Sequence, residues 1–417
     1  MSPVEAAGGY RALATRLLGF STLPFLASVL PLIALPIVAG VATEVDWAAL
    51  NIGMGVGAIA AAVGLVGWNL LGTPLVAMAD SVREQRDLYA RSFYIRSAAV
   101  LTATALAAVV AAVIAPAPAG GIAIAFAAAT ALNGITIAWY AVGVGSSRLV
   151  LWFEVVPRSA ATALAIPIVL VTGQVAWYGV LLCVSFIGGT AFFHRHLLGR
   201  LLPAWPGMPR LREDVLDMRS AWGTESVQGL YANAPVPVAG VLSTPTDASA
   251  FSSNDKIYRY GLLVVIAAGT ALQGWVLEAP AALRRTRHVT AFVVMAVIAV
   301  IGWIVLAVFG PALSGLLFSG KAGDPVVFQF YAVAFVAISL ATPIIRNILI
   351  PARRDRQVLM ISLVAAVLGV GAMIGLGTSF GIVGVGVGFA LSETINFVAC
   401  LVLALALTRG RRPEESA

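Results

Sequence analysis

Eleven polar side chains stand inside stretches that are otherwise apolar: Asn69, Asn133, Glu225, Gln228, Asn233, Gln273, Glu278, Arg346, Asn347, Glu393 and Asn396. A charged group at the centre of a bilayer costs about 2.5–3.5 kcal/mol even on lenient insertion scales, so each must face protein or water. The stretch from Arg219 to Ser243 concentrates them, with Glu225, Gln228 and Asn233 in its first half and Pro235 and Pro237 in its second. It reads as the wall of an internal cavity. Glu393 falls near the middle of another apolar stretch. Taking up a cation, proton or sodium, is the chemistry open to a carboxylate at such depth, and Glu225 and Glu393 are the candidates. Glu225 also lies within two helical turns of Arg219, close enough for a local ion pair. Glu278 and Arg346 lie near span ends, where long side chains can reach water.

Enzymatic groupings are missing from the sequence. It contains no Gly-x-x-x-x-Gly-Lys-Ser/Thr loop and no His/Cys/Asp cluster at metal-ligand spacing. Cys183 and Cys400 fall inside apolar spans as small core residues, and His194, His196 and His288 sit at cytoplasmic span ends as interfacial residues. Membrane-embedded glycan polymerases and ligases normally display a large outer loop, and every outer loop here is short. Nothing resembles a repeated channel filter.

The elements that hold these residues follow from composition. The 417 residues are 60% hydrophobic and 11% charged, with mean hydropathy +0.95, which specifies a polytopic membrane protein. Twelve stretches are long enough to cross a bilayer: 18–41, 49–78, 93–115, 121–145, 157–173, 176–193, 220–243, 257–279, 290–310, 326–349, 357–378 and 381–407. With the N-terminus inside, 23 of the 26 Lys and Arg residues fall on the cytoplasmic side, in connections, tails or the adjoining span ends, with Arg148 and Arg158 counted around the fourth connection, leaving Lys256, Arg259 and Lys321 outside. The net charge of +7 therefore reflects topology and gives no surface for nucleic acid. Residues 1–200 hold six spans, residues 201–219 an amphipathic cytoplasmic linker helix, and residues 220–417 six more. Gly67-Trp68-Asn69 and Gly274-Trp275-Val276 hint at a repeat between the halves, which would place a site at their interface. Pro24, Pro31 and Pro36 remove three backbone hydrogen bonds from the first span, as suits a bending gate, although prolines are common in membrane helices generally. Gly53, Gly55, Gly57, Gly64 and Gly67, and Gly381, Gly384, Gly386 and Gly388, form faces for close helix packing.

Several local patterns carry a family likeness. They are Leu35-Pro36-Ile37-Val38-Ala39-Gly40, then Trp139-Tyr140-Ala141-Val142-Gly143 followed by Glu154-Val155-Val156-Pro157-Arg158, and Phe251-Ser252-Ser253-Asn254-Asp255-Lys256 running into Tyr258-Arg259. With two six-span halves and a glycine-rich last helix, the chain resembles the multidrug/oligosaccharidyl-lipid/polysaccharide exporter superfamily. Within it, the chain resembles the Wzx-type polysaccharide flippases of O-antigen and teichoic acid synthesis. Asn233-Ala234-Pro235 stands where related flippases often have an aspartate, and the first span lacks the acidic residues typical of the multidrug branch.

The resemblance implies an all-α, twelve-helix protein of the bacterial cytoplasmic membrane with both termini cytoplasmic. It would be a flippase moving polyprenyl-diphosphate-linked oligosaccharide by alternating access, with no cofactor beyond a coupling cation. Membrane lipids and polysaccharide-assembly proteins would be its other partners. Arg suits a diphosphate because its planar fork pairs two oxygens. Arg96, Arg259 and Arg346 are the candidates, with Asn69, Gln228, Asn233, Glu225 and Glu393 lining the cavity. A cation-coupled multidrug exporter and a membrane-embedded glycan polymerase or ligase are the alternatives.

Overall fold

The computed structural model describes residues 34–277 and 281–410, and all regular structure among them is helical. Pro24, Pro31 and Glu278 lie outside the described residues, whereas Pro36 stands in a helical stretch, residues 34–41. Contacts divide the chain into two compact units, Met1–Asn233 and Ala234–Ala417.

The first unit contains α1 (Glu44–Gly64), α2 (Trp68–Met78), α3 (Val82–Ile114), α4 (Gly120–Gly143), α5 (Ser147–Thr172), α6 (Ala176–Leu198) and α7 (Met208–Asn233). Thr43 and Asp46 start α1 with a reciprocal capping box, each side chain accepting the other's backbone N–H at 3.1 Å. Gly53 and Gly57 let α1 lie directly on α4, where an added methyl would overlap the backbone of Ala123 or Ala127. Arg91 of α3 donates to Asp214 of α7 at 2.6 Å. Burial pushes the Asp214 carboxyl above its ordinary range, and Arg91 draws it back.

The second unit contains α8 (Pro235–Leu242), α9 (Pro245–Leu277), α10 (Ala281–Ile304, running on through a π turn to Leu317), α11 (Pro325–Leu349) and α12 (Asp355–Gly410). α12 is two spans folded back at Gly381, whose φ of 56° and ψ of −139° favour glycine. Gly384 and Gly388 of its second arm meet the backbone of Leu376 and Met373 in the first.

Eight of the described helices are long and apolar enough to cross a membrane. Val113, Val171 and Leu316 are 78%, 86% and 81% exposed, which lipid tolerates and water does not. The chain is a multi-pass membrane protein.

Several expected boundaries shift. The fifth span begins at Ser147, ten residues before the expected start at 157, because a π turn at Leu151–Val155 carries the helix past Pro157. Arg158, counted above with a loop, is therefore eleven residues inside α5. The eighth span begins at Pro245, so Asp255 and Lys256, expected outside it, are buried within α9. The seventh stretch breaks after Asn233, where Pro235 cannot continue the helix, and α7 absorbs both the expected linker helix and the first half of that stretch.

Candidate functional site

Two membrane helices in the first unit are broken, and neighbouring side chains repair both breaks. Between α1 and α2 the chain turns through Val66 (φ 50°) and Gly67 (φ 78°), which frees backbone groups that lipid cannot satisfy. α7 supplies the partners: Trp222 Nε1 donates to the Val63 carbonyl at 2.8 Å, and Glu225 Oε2 accepts from Gly67 N–H at 2.8 Å. Glu225 is buried, and its Oε1 has no hydrogen-bond partner. Its carboxylate thus anchors a backbone turn instead of pairing with Arg219. Asn69 and Gln228 are exposed, and Asn233 Nδ2 donates to the Gly229 carbonyl at 2.8 Å.

α4 breaks at Leu132–Ile135, where a 3-10 turn ends in extended Thr136. Arg96, 1% exposed, reaches this break from α3. Its Nε and Nη2 donate to Gly134 O at 3.0 and 2.6 Å, and Nη2 also to Thr136 O at 2.6 Å. Glu154 takes the donor side of the break, accepting Thr136 Oγ1–H at 2.7 Å and Ile137 N–H at 2.5 Å. Arg158 Nη2 donates to Asn133 Oδ1 at 2.7 Å. Arg96 is therefore occupied by carbonyls. Glu154 and Arg158 belong to the same network; the sequence marks them by their spacing of four and by the stretch that carries the family likeness, but not by this role.

The segments that follow the two breaks pack together. Trp68 and Trp139 lie with ring centroids 5.3 Å apart, and Thr73 Oγ1 donates to Trp139 O at 3.1 Å. Tyr89, Phe193 and His194 extend this aromatic cluster. His194 Nδ1 is 2.7 Å from Leu201 O, which only accepts, so that nitrogen carries the proton. Tyr89 Oη, 2.7 Å from Nε2, donates to it, so His194, expected at an interface, is buried within the aromatic cluster.

In the second unit, Arg259 Nε pairs with Asp255 Oδ2 at 2.5 Å, and Tyr331 Oη is 3.4 Å from Oδ1 of the same carboxylate. Asn254 fixes the start of α11, donating to Asp324 O at 2.9 Å and accepting from Asp324 N–H at 3.0 Å. Arg346 stands on the π turn Ile345–Leu349 after Pro343, half-buried, and donates to Thr270 Oγ1 of α9 at 3.0 Å. It makes no ion pair with any carboxylate among the described residues. Glu393 is 7% exposed in the second arm of α12, near Asn396, which accepts from Ser362 Oγ at 3.1 Å. No group of His, Cys, Asp and Glu among the described residues could hold a metal ion.

Solved structures share this arrangement. An inward-facing multidrug resistance MATE family transporter of the MOP superfamily matches with a TM-score of 0.66 at 16% identity, over 93% of this chain and 96% of the other. The lipid II flippase MurJ, in an inward closed conformation, matches with a TM-score of 0.68 at 10% identity, over 95% and 93%. The chain has the fold of MOP-superfamily transporters. A third member, from Pyrococcus furiosus, matches with a TM-score of 0.57 at 14% identity over 96% of both chains, and is described as having a binding pocket of reverse polarity that suggests a different function. No protein-family model and no curated protein matches the sequence.

Proposed function

We propose that this chain is a transporter of the MOP superfamily, of the Wzx-like branch, that moves polyprenyl-diphosphate-linked oligosaccharide across the bacterial cytoplasmic membrane. The observation that carries the reading is Arg346. A half-buried guanidinium on a membrane helix, held by one neutral hydroxyl and by no carboxylate, suits an anionic cargo such as a diphosphate. Arg259, its side chain one-third exposed beside Asp255, is a second phosphate ligand in this reading. The lipid II flippase among the structural neighbours supports a lipid-linked substrate.

Glu393 takes the coupling cation, proton or sodium, in this reading, because Glu225 is committed to the Gly67 turn. Cation-coupled drug export is the second reading, and the MATE neighbours favour it.

Deletion of the gene in its native host, followed by mass spectrometry of polyprenyl-linked saccharides, separates the two. Accumulation of one complete lipid-linked oligosaccharide is the expected result. An unchanged pool with new drug sensitivity overturns the proposal in favour of drug export.

A further inference from the structure

We propose that the first unit contains a binding site for an anion of phosphate size, built on Arg158. A cavity of about 120 Å³ is lined by Met54, Thr130, Asn133, Arg158, Tyr178 and Phe186. That is room for several waters and hence for a tetrahedral anion. Arg158 is eleven residues into α5, about 16 Å along the axis at ~1.5 Å per residue, so its side chain lies well inside the span.

The guanidinium is held in place and left short of partners. Nη2 donates to Asn133 Oδ1 at 2.7 Å, and the group lies 4.6 Å from the Phe186 ring centroid. Nε is shielded from solvent and has no hydrogen-bond partner. The neighbouring carboxylate, Glu154, is shared electrostatically with Arg96 and spends its Oε1 on Thr136 and Ile137. It makes no ion pair with Arg158.

A buried charged donor left idle is costly, and such donors normally have a partner from protein, water or a bound ion. Phosphate oxygens in the cavity would accept from the Nη protons that Asn133 leaves free, the charge-assisted contact that a guanidinium favours. The aromatic walls would exclude water and strengthen it. The site does not depend on the cargo being lipid-linked, since free phosphate and an esterified phosphate present the same oxygens.

The test is equilibrium binding of radiolabelled inorganic phosphate to the purified full-length protein in detergent. Wild-type protein should bind saturably, and Arg158→Gln should weaken binding at least tenfold. Arg158→Lys, which keeps the charge and loses the fork, should fall between them. Ala129 lines the same cavity, so Ala129→Leu fills it while leaving Arg158 in the sequence and should weaken binding as much as Arg158→Gln. Arg148→Gln, which removes a charge from the exposed start of α5, should bind as wild type does. Competition by glycerol 3-phosphate would assign the site to an esterified phosphate, and indifference to it would assign a free anion; either accords with the site. Absence of binding by the wild type overturns the proposal. So does wild-type binding by Ala129→Leu protein of unchanged melting temperature, even if Arg158→Gln fails to fold.

Discussion

Arg96 and Arg346 show why one residue type does different work on two membrane helices. Arg96 gives its donors to two carbonyls of a broken helix, where each charge-assisted bond contributes about 1.5–3 kcal/mol. Arg96→Gln should therefore lower stability by at least about 3 kcal/mol, seen as a large fall in melting temperature in detergent. Arg96→Lys should recover only part, because one ammonium cannot span both carbonyls. Arg346 has a single neutral partner, so Arg346→Ala should leave the amount of folded protein unchanged. Flipping of the lipid-linked substrate in that variant should fall at least tenfold. Flipping at the wild-type rate would remove Arg346 from the substrate site.

At the scale of elements, the first unit is organised by two interrupted helices and the side chains that repair them. The α1–α2 turn makes a sharp case, since Glu225 can be either an anchor or a carrier of a proton. Glu225→Gln keeps an acceptor for the Gly67 N–H and should cost less than about 1 kcal/mol, while Glu225→Leu leaves that N–H unpaired and should cost about 1–3 kcal/mol. If Glu225→Gln protein melts normally but loses transport, the proton on Glu225 is part of the cycle. Retained transport makes it an anchor alone. Gly67→Ala should cost about 1–3 kcal/mol by strain, because φ is 78° and the new methyl would come within 2.9 Å of the Ala221 Cβ. Sequence patterning gave access to the spans because lipid demands long apolar runs, and to the glycine faces because small residues at helical spacing admit a neighbour. It gave no access to the breaks at Val66–Gly67 and Thr136–Ile137. Their partners are distant in the chain: Glu225 lies 158 residues from Gly67, and Arg96 lies 38 residues from Gly134. Pro157 misled in the same way, reading as a helix start where a π turn absorbs it. Arg158 thereby counts with the connection before that span.

At the scale of the whole molecule, the distribution of basic residues and the order of spans make one joint claim, an N-terminus inside with even alternation thereafter. α11 offers a clean place to test it. Its 25 residues, Pro325–Leu349, extend about 37 Å at ~1.5 Å per residue, more than the ~30 Å hydrocarbon core, so its flanks must lie on opposite sides. The flank at 321–324 carries Lys321 and Asp324, whereas the other carries Arg353, Arg354 and Arg356 within four residues. In a background with Cys183 and Cys400 replaced by serine, Ala322→Cys should react with a membrane-impermeant maleimide in intact cells whose outer barrier, where present, is permeable to the reagent. Arg356→Cys should react only once the cytoplasmic membrane is opened. Both positions are exposed, so failure to react reports sidedness and not burial. The reverse pattern would invert the molecule and put the Arg259–Asp255 pair, which lies toward the Pro245 end of α9 relative to Thr270, the partner of Arg346, on the cytoplasmic side of Arg346. Arg346 would then meet cargo from outside. The orientation measurement thus decides which of the two second-unit arginines a cytoplasmic substrate reaches first.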